Sequence, residues 1–316
     1  MPICILLIVM HDPWCYVYSM SKLAIKKLIE STACEDGMVE TGVKGVQFFR
    51  YTAPLRCAPA VYEPAVIAIV SGAKEAILDG NSYVYDSRQY MCCSLSMPVE
   101  AGIRAASPEN PLLGVYISLD TKVMTELIIE MESTVGVIGK PKARPTPQGI
   151  ALAHWDTLFT EALLRLIQLR DSPTDTAVLG NGRLRELYYA VLKGEAGDSA
   201  RRAFGIGNDI ARAITYLSSH LDKAVTIDDM ATQVGMSRAV LHRKFKQATT
   251  LSPMQFMKSM RLNHAAMKIA EGKTVSNAAT EVGYVSSSQF SREFKRLYGQ
   301  SPRQWSQSNL LSGRGL

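Results

Sequence analysis

The chain has 316 residues, enough for two domains, and its 47% apolar and 20% charged content is typical of a soluble globular protein rather than a disordered or membrane-embedded one. Its net charge of +6 is concentrated at one end: residues 209–316 carry 15 Lys and Arg against 7 Asp and Glu, and residues 1–208 carry 20 against 22. This C-terminal positive excess is what attraction to phosphate requires, so nucleic acid is the expected partner.

Residues 1–37 are predicted to be an N-terminal extension. Residues 1–10 are apolar, but the run is too short to span a membrane and lacks the basic start and cleavage site of a secretory signal. We therefore expect a cytoplasmic protein with no membrane partner. A helix-like polar sequence follows Met20, and one hypothesis is that translation starts there and that residues 1–19 are an upstream artefact.

Residues 38–193 are predicted to form a β-rich domain with flanking helices. Its first part alternates short strand-like runs with Gly, Asp-Gly-Asn and Ser-Pro turns. Many short strands separated by turns predict a small barrel or sandwich. The predicted strands are residues 43–51, 66–70, 76–78, 83–85 and 115–119.

The cysteines and histidines do not form a recognisable metal site. All six cysteines lie in the first 93 residues, without CxxC or Cys/His zinc spacing. No His lies between His11 and His154, so a metal-dependent barrel enzyme lacks its ligands, and no cofactor or catalytic residue is predicted. Cys92 and Cys93 fit either a redox sensor or a pair of buried small hydrophobic residues, and the second reading is favoured.

Three helices are predicted after the strands, over residues 121–140, 149–170 and 180–193. The apolar stripe of the second is wider than one neighbour needs, so packing against a second subunit and packing within the chain are equal alternatives. The small residues of 194–199 predict a flexible stretch, and the domain linker is placed at residues 194–208.

Residues 209–316 are predicted to be all-helical and to contain a duplicated unit. Residues 230–256 and 278–305 each read as a helix, a turn with Gly, a second helix and a Ser-Pro stop. Each second helix carries an Arg on its outer face and a Phe on its inner face, as a helix in the DNA major groove requires. A helix over residues 253–271 spans about 28 Å, close to the roughly 34 Å between neighbouring major grooves.

The outward residues of these second helices are the candidate DNA contacts. Read from one unit alone, a solvated basic face is an equally good interpretation, and the duplication favours DNA. Their N-terminal halves are expected to meet base edges, and the lysines near their ends to meet phosphate. The candidates are Arg238, Ala239, His242, Arg243, Lys246, Ser287, Ser288, Gln289, Ser291, Arg292 and Lys295.

The second unit resembles the DNA-binding domain of the AraC/XylS family of bacterial transcription regulators. The match departs from the family pattern where Trp305 is followed by Ser306 instead of Arg, which removes one phosphate contact. The residues that carry the resemblance are Ala279, Gly283, Tyr284, Gln289, Phe290, Arg292, Phe294, Lys295, Arg296, Gly299, Ser301 and Pro302.

The β-rich part is similar to the N-terminal domain of one AraC-type subgroup. The resemblance implies a cupin-like barrel that senses a signal, and Arg56, Tyr62 and Tyr85 are conceivable effector contacts, against ordinary packing roles for each. The matching segments are Tyr62-Glu63-Pro64, Gly72-Ala73-Lys74, Pro98, Ala106-Ser107-Pro108-Glu109 and Leu119-Asp120.

The predicted fold class is α+β: a cupin-like β-barrel with flanking helices, followed by an all-α double helix-turn-helix domain. The predicted function is a regulator, and by family resemblance an activator, that binds double-stranded DNA under control of a small-molecule effector. The resemblance further implies a homodimer and contact with RNA polymerase. The alternatives are a ligand-independent DNA-binding protein and a non-metal cupin enzyme fused to a DNA-binding module.

Overall fold

The computed structural model describes residues 13–135, 149–205 and 208–312. We refer to residues 13–205 as the β domain and to residues 208–312 as the helical domain. The hypothesis of an upstream artefact concerns residues 1–19, most of which lie outside the described part, and it stays a prediction. No helix of the described segments combines the length and the apolar character needed to cross a membrane.

Two antiparallel sheets make up the β domain. One has six strands in the order β1-β2-β9-β4-β7-β10, and the other has four in the order β3-β8-β5-β6. This confirms the β-rich fold that was expected for this region. The strands are β1 Gly37–Glu40, β2 Val46–Tyr51, β3 Leu55–Tyr62, β4 Ala65–Ser71, β5 Ala73–Leu78, β6 Asn81–Asp86, β7 Gln89–Cys93, β8 Met97–Ile103, β9 Leu112–Ser118 and β10 Ile150–His154.

The two sheets pack face to face, and each contributes the side chains of one of its faces to the interior. Lys74 of β5 lies over the ring of Phe49 on β2, which joins the small sheet to the large one. Because side chains alternate along a strand, the neighbour of Lys74, Glu75, faces the other way and bonds Arg104 and Ser82. The interior between the sheets is otherwise mostly apolar, and Met91 and Met97 are fully buried.

Helices cover the outer face of the six-stranded sheet. Ile25 and Ile29 of α1 are fully buried, and Tyr90 of β7 stacks on Phe159 of α3 with ring centroids 4.1 Å apart. The apolar stripe predicted for residues 149–170 is therefore used largely within the chain. The helices of this domain are α1 Pro13–Thr32, α2 Thr121–Val135, α3 Thr157–Ile167, α4 Pro173–Lys193 and α5 Gly197–Phe204.

The start of the helix predicted from residue 149 is a strand. Residues 150–154 form β10, which pairs with β7 from Ile150 opposite Cys93 to His154 opposite Gln89. Without β10 the β7 strand would be an open sheet edge, and pairing of its backbone groups overrides local helix preference. The helix begins afterwards, where the Asp156 carboxylate caps α3 by accepting from the Phe159 amide at 2.7 Å.

Besides β10, four strands were not predicted from the sequence, namely β1, β3, β7 and β8. Two of them contain a residue that normally breaks strands, Pro59 in β3 and Pro98 in β8. β3 tolerates its proline because it is the edge of its sheet, where one side of the strand needs no ladder bonds. The strand pattern in these segments is therefore visible only once the neighbouring strands are in place.

The stretch predicted to be a flexible linker contains α5 instead. Ala200 and Phe204 of this helix are buried, and Arg201 bonds the backbone oxygen of Leu192 and the side chain of Asp198. The small residues that suggested flexibility allow close packing, since a Cβ at Gly197 would lie 2.2 Å from the Leu192 oxygen. The boundary between the domains stays a prediction.

Seven helices form the described part of the helical domain. Side-chain caps begin most of them: Thr226 and Asp229 form the predicted capping box of α7, and Ser252 and Gln255 form another at α9. The helices are α6 Asp209–Ser218, α7 Ile227–Val234, α8 Arg238–Thr249, α9 Pro253–Ala270, α10 Val275–Glu281, α11 Ser287–Tyr298 and α12 Pro302–Ser312.

The two domains are joined by a buried asparagine. Asn263 of α9 is only 4% exposed, and its Nδ2 donates to the backbone oxygens of Ala60 at 2.7 Å and Val99 at 2.9 Å. Its Oδ1 accepts a 2.6 Å bond from the Tyr298 hydroxyl at the end of α11. Asn263 therefore connects two strands of the β domain with the last turn of a helix in the helical domain.

Alkylation should distinguish the two readings of the cysteine pair. Cys92 and Cys93 are completely buried, and burial raises the pKa of the Cys92 thiol to about 12 and that of Cys93 as well, whereas Cys34 is exposed. We expect iodoacetamide to modify Cys34 in the folded protein and the pair only after unfolding, as read by peptide mass spectrometry. Modification of Cys92 or Cys93 at the rate of Cys34 would favour the redox sensor.

Candidate nucleic-acid interface

Two helix-turn-helix units stand in tandem in the helical domain. We call α7 with α8 the first unit and α10 with α11 the second unit. In each unit a glycine with positive φ makes the turn, Gly235 at 68° and Gly283 at 84°, and a serine then caps the second helix. The positions predicted for these turns and caps are confirmed.

The second helix of each unit is held from behind by buried aromatic rings. Phe245 of α8 packs edge-on against Phe256 of α9 at 5.2 Å between ring centroids. Phe294 of α11 packs against Phe290 at 5.4 Å and Tyr298 at 4.6 Å. Both phenylalanines predicted to lie behind the outward faces are fully buried.

All but one of the predicted DNA contacts are exposed. Ser291 is the exception and is half-buried, so it is the least accessible of the set. No carboxylate bonds either arginine in the middle of the helices, Arg243 or Arg292, within the described residues. The exposed residues are Arg238, Ala239, His242, Arg243 and Lys246 on α8, and Ser287, Ser288, Gln289, Arg292 and Lys295 on α11.

Two of the predicted contacts are held by acidic neighbours. Arg238 forms a bidentate pair with Asp228 of α7. Gln289 donates through Nε2 to Glu293 at 3.3 Å, and Glu293 also accepts from the Tyr284 hydroxyl at 2.8 Å. These bonds fix the side chain of Arg238, near the start of α8, and that of Gln289, near the start of α11, before DNA binds.

The loop that precedes the first unit touches the turn of the second unit. The Arg261 guanidinium of α9 donates to the backbone oxygens of Leu221 at 2.8 Å and Lys223 at 2.6 Å, in the loop before α7. A Cβ on Gly283, in the turn of the second unit, would lie 2.6 Å from the same Leu221 oxygen. The loop before the first unit is thus pressed against the turn of the second, which limits their relative movement.

Sequence reasoning missed the residues that hold the units together. They are distant in sequence from the groups they bond, so no local spacing marks them. Lys258 of α9 pairs with Glu293 at 3.2 Å and so ties α9 to α11. The only feature of the sequence that could have indicated these contacts is that polar residues interrupt the apolar pattern of α9.

The predicted effector contacts do not all come together. Tyr85 is buried and Tyr62 half-buried, and the hydroxyl oxygens of both are buried without a hydrogen-bond partner among the described residues. Arg56 is exposed on β3 and makes no side-chain bond with either tyrosine. In the same described part of the chain, no three His, Cys, Asp or Glu side chains are grouped in a way that fits a metal ion.

Comparison with protein families accounts for both domains. The model of the AraC-type transcriptional regulator N-terminus matches residues 42–199, and a helix-turn-helix domain model matches residues 230–308. The chain belongs to the AraC/XylS family of transcription regulators. The DNA-binding role expected from the tandem units is thereby confirmed at the level of the family.

Individual AraC-type relatives match over different lengths. The lactose operon transcription activator of Staphylococcus xylosus is 26% identical over 279 residues, which is 86% of this chain and 91% of that protein. The raffinose operon regulatory protein RafR of Pediococcus pentosaceus is 26% identical over 147 residues, 46% of this chain. The chain thus spans only 53% of RafR.

Solved structures match the arrangement of both domains. ToxT from Vibrio cholerae superposes with a TM-score of 0.52 at 14% identity, covering 83% of this chain and 97% of ToxT. At this identity the likeness shows the fold alone. It confirms the predicted fold, in which a β-rich domain is followed by a helical domain in one chain.

Proposed function

We propose that this AraC-type regulator binds double-stranded operator DNA through α8 and α11 and that a small molecule bound by the β domain controls it. The observation that carries the DNA part is the pair of exposed, arginine-bearing helices, one in each unit. Arg261 and Gly283 hold the loop before α7 against α9 and the turn of the second unit. α9 joins the units with 18 residues, about 27 Å of helix at 1.5 Å per residue, which suits two adjacent major grooves.

The predicted DNA contacts, of which only Ser291 is half-buried, divide into base readers and phosphate contacts. Arg243 and Arg292 each grip a guanine edge with two bonds. Ala239 offers a methyl group to thymine, and the remaining base contacts are His242, Ser288 and Gln289. Phosphate is bound by Arg238, Lys246, Ser287, Ser291 and Lys295.

Control by a small-molecule effector distinguishes the proposed regulator from a ligand-independent DNA-binding protein. Tyr62 and Tyr85 place two unpartnered hydroxyl groups in the β domain, where a ligand gives them partners. Arg56 is exposed at the surface of β3, and we assign it no contact with the effector. One ToxT structure is bound to a naphthalenyl butenoic acid and superposes on this chain with a TM-score of 0.55.

The remaining parts of the proposal follow from the family. The lactose operon relative is named an activator, which supports activation through RNA polymerase in the cytoplasm, where bacterial DNA lies. A homodimer is proposed on the family resemblance. Phe159, Leu163 and Leu166 of α3 are buried within the chain, so these three residues do not form the proposed subunit contact.

Two neighbouring substitutions on α11 test the reading of DNA. Arg292→Ala should weaken binding to the selected operator by about 1–3 kcal/mol and relax preference at one base pair, because it removes a bidentate contact. Lys295→Ala should weaken all sequences alike and lower the salt slope by about one unit, because it removes a phosphate contact. Site selection from random DNA, followed by fluorescence anisotropy at two salt concentrations, measures both.

The contrast between the variants decides the outcome. If Arg292→Ala loses as much affinity for random DNA as for the operator, Arg292 is a phosphate contact. If the unchanged full-length protein selects no sequence at low salt, the proposed DNA function is wrong.

A further inference from the structure

The interior of the β domain contains two hydroxyl groups without partners. Tyr85 of β6 is 1% exposed, and apart from each other its Oη and that of Tyr62 on β3 have no hydrogen-bond partner in the described part of the chain. The two phenols are neighbours, and a bond between them would satisfy only one of their two protons. A buried hydroxyl without a partner destabilises a fold, so its retention calls for a reason.

A lysine points into the same place. Lys74 of β5 is directly opposite Tyr85 in the strand register, so both side chains emerge on one face of the sheet. Its Nζ lies 5.6 Å from the ring centroid of Tyr62 and 5.6 Å from that of Phe49. The Lys74 charge also acts on Tyr51, lowering a phenol pKa that burial raises more strongly.

No carboxylate neutralises this lysine among the residues the structure describes. The adjacent acid, Glu75, lies on the opposite face of β5 and is bonded by Arg104 and Ser82. Aromatic faces attract a cation only weakly compared with a carboxylate. The ammonium of Lys74 is therefore available to an anion that enters from outside.

These groups indicate which kind of ligand the interior would bind. One ammonium and two phenols all donate hydrogen bonds, which suits an anionic oxygen group, whereas a neutral sugar also requires acceptors such as carboxylates. The surrounding walls are aromatic and apolar: Phe49 and Met97 are buried there. A ligand that satisfies both features has a carboxylate at one end and an apolar body.

We infer that the interior of the β domain binds a small carboxylic acid with an apolar body, whose carboxylate is held by Lys74 and the hydroxyls of Tyr62 and Tyr85. This inference rests on the proposal that the β domain receives an effector. Lys74 belongs to Gly72-Ala73-Lys74, one of the segments that carry the resemblance to the AraC-type N-terminal domain.

The site lies beside the contact between the domains. Tyr62 is two residues along β3 from Ala60, whose oxygen accepts from Asn263. Asn263 in turn bonds Tyr298 at the end of α11. A ligand that moves Tyr62 thus acts on a strand in direct contact with the helix that joins the DNA-binding units.

Thermal melting and calorimetry of the full-length protein test the inference with 4-phenylbutyrate as the probe and its uncharged amide as the comparison. We expect the acid to raise the melting temperature and the amide to do so far less. Lys74→Met should weaken binding of the acid roughly tenfold or more, since it removes the charge and keeps the stem. Lys44→Met removes an exposed lysine of the same domain and should leave binding unchanged.

The same variants have a second readout without ligand. Tyr85→Phe removes a hydroxyl with no partner other than Tyr62 among the described residues, and Lys74→Met removes a charge that there meets only aromatic faces. The unliganded variants should therefore melt at or above the unchanged protein. A clear loss of stability in Tyr85→Phe would mean that its hydroxyl is already bonded and would overturn the inference. So would equal binding of acid and amide, equal binding by Lys74→Met, or no binding of the acid at all.

A test with a neutral sugar distinguishes failure of this inference from failure of the proposed function. If lactose raises the melting temperature and the acid does not, an effector-controlled β domain stands and the carboxylic acid site is wrong. DNA selection by the full-length protein tests the DNA function independently of both results.

Discussion

Phe294→Ala is expected to destabilise the helical domain by about 3–5 kcal/mol and to abolish DNA binding through unfolding. Phe294 is completely buried and lies at the centre of a ring cluster, with Trp305 of α12 at 6.1 Å and Tyr298 at 4.6 Å between ring centroids. Truncation leaves a cavity behind the exposed face of α11 that its neighbours only partly fill.

The matched control for this substitution is three residues away. Leu297 lies on the same helix but is 43% exposed, so Leu297→Ala should change the free energy of unfolding by less than about 1 kcal/mol and leave DNA affinity nearly intact. Urea denaturation followed by circular dichroism measures stability, and fluorescence anisotropy measures binding. Loss of binding by Phe294→Ala with unchanged unfolding would place Phe294 at the DNA and contradict the prediction.

Gly283→Ala is expected to cost about 2–4 kcal/mol, more than the equivalent Gly235→Ala in the first unit. Both glycines have positive φ, so each alanine pays about 1 kcal/mol of backbone strain. At Gly235 nothing lies within 4 Å of the added Cβ, whereas at Gly283 the Leu221 oxygen lies 2.6 Å away and Asp222 atoms lie 3.0 Å away. Such overpacking adds about 1–3 kcal/mol.

The glycine pair also tests whether the two units act as one rigid body. Gly283→Ala should push the loop before α7 away from the second unit, so the variant should tolerate a one-base-pair insertion between half-sites better than the unchanged protein does. Gly235→Ala should lose stability without changing spacing preference. Equal stability losses, or identical spacing preference in all three proteins, would show that the contact at Leu221 does not fix the units.

Local features of the sequence were sufficient for the parts of the fold that depend on near neighbours. The turn glycines, the serine caps and the buried face of each recognition helix involve residues within one or two turns of each other. Because the unit is duplicated, the same residue pattern could be recognised twice in the sequence. Nearly all the predicted DNA contacts are accordingly exposed, and Phe245 and Phe294 are buried.

Segments whose conformation depends on distant partners were predicted poorly. Residues 150–154 carry a pattern that fits a helix, and only the open edge of β7 makes them a strand. β3 forms a strand despite Pro59 because it lies at the edge of its sheet, which the sequence does not indicate. The small residues before α6 suggested a linker, and contact with Leu192 makes them a helix.

The sequence by itself determined the family, the tandem helix-turn-helix units and the exposed faces that we propose bind DNA, because these follow from helical periodicity and repeated short spacings. Only the tertiary structure decided that Asn263 joins the domains, that Arg261 and Gly283 hold the units together, and that Lys74 meets two unpartnered tyrosines. Most of these contacts join residues far apart in the chain. Their energies depend on burial and on hydrogen-bond geometry, which exist only after the strands and helices have packed.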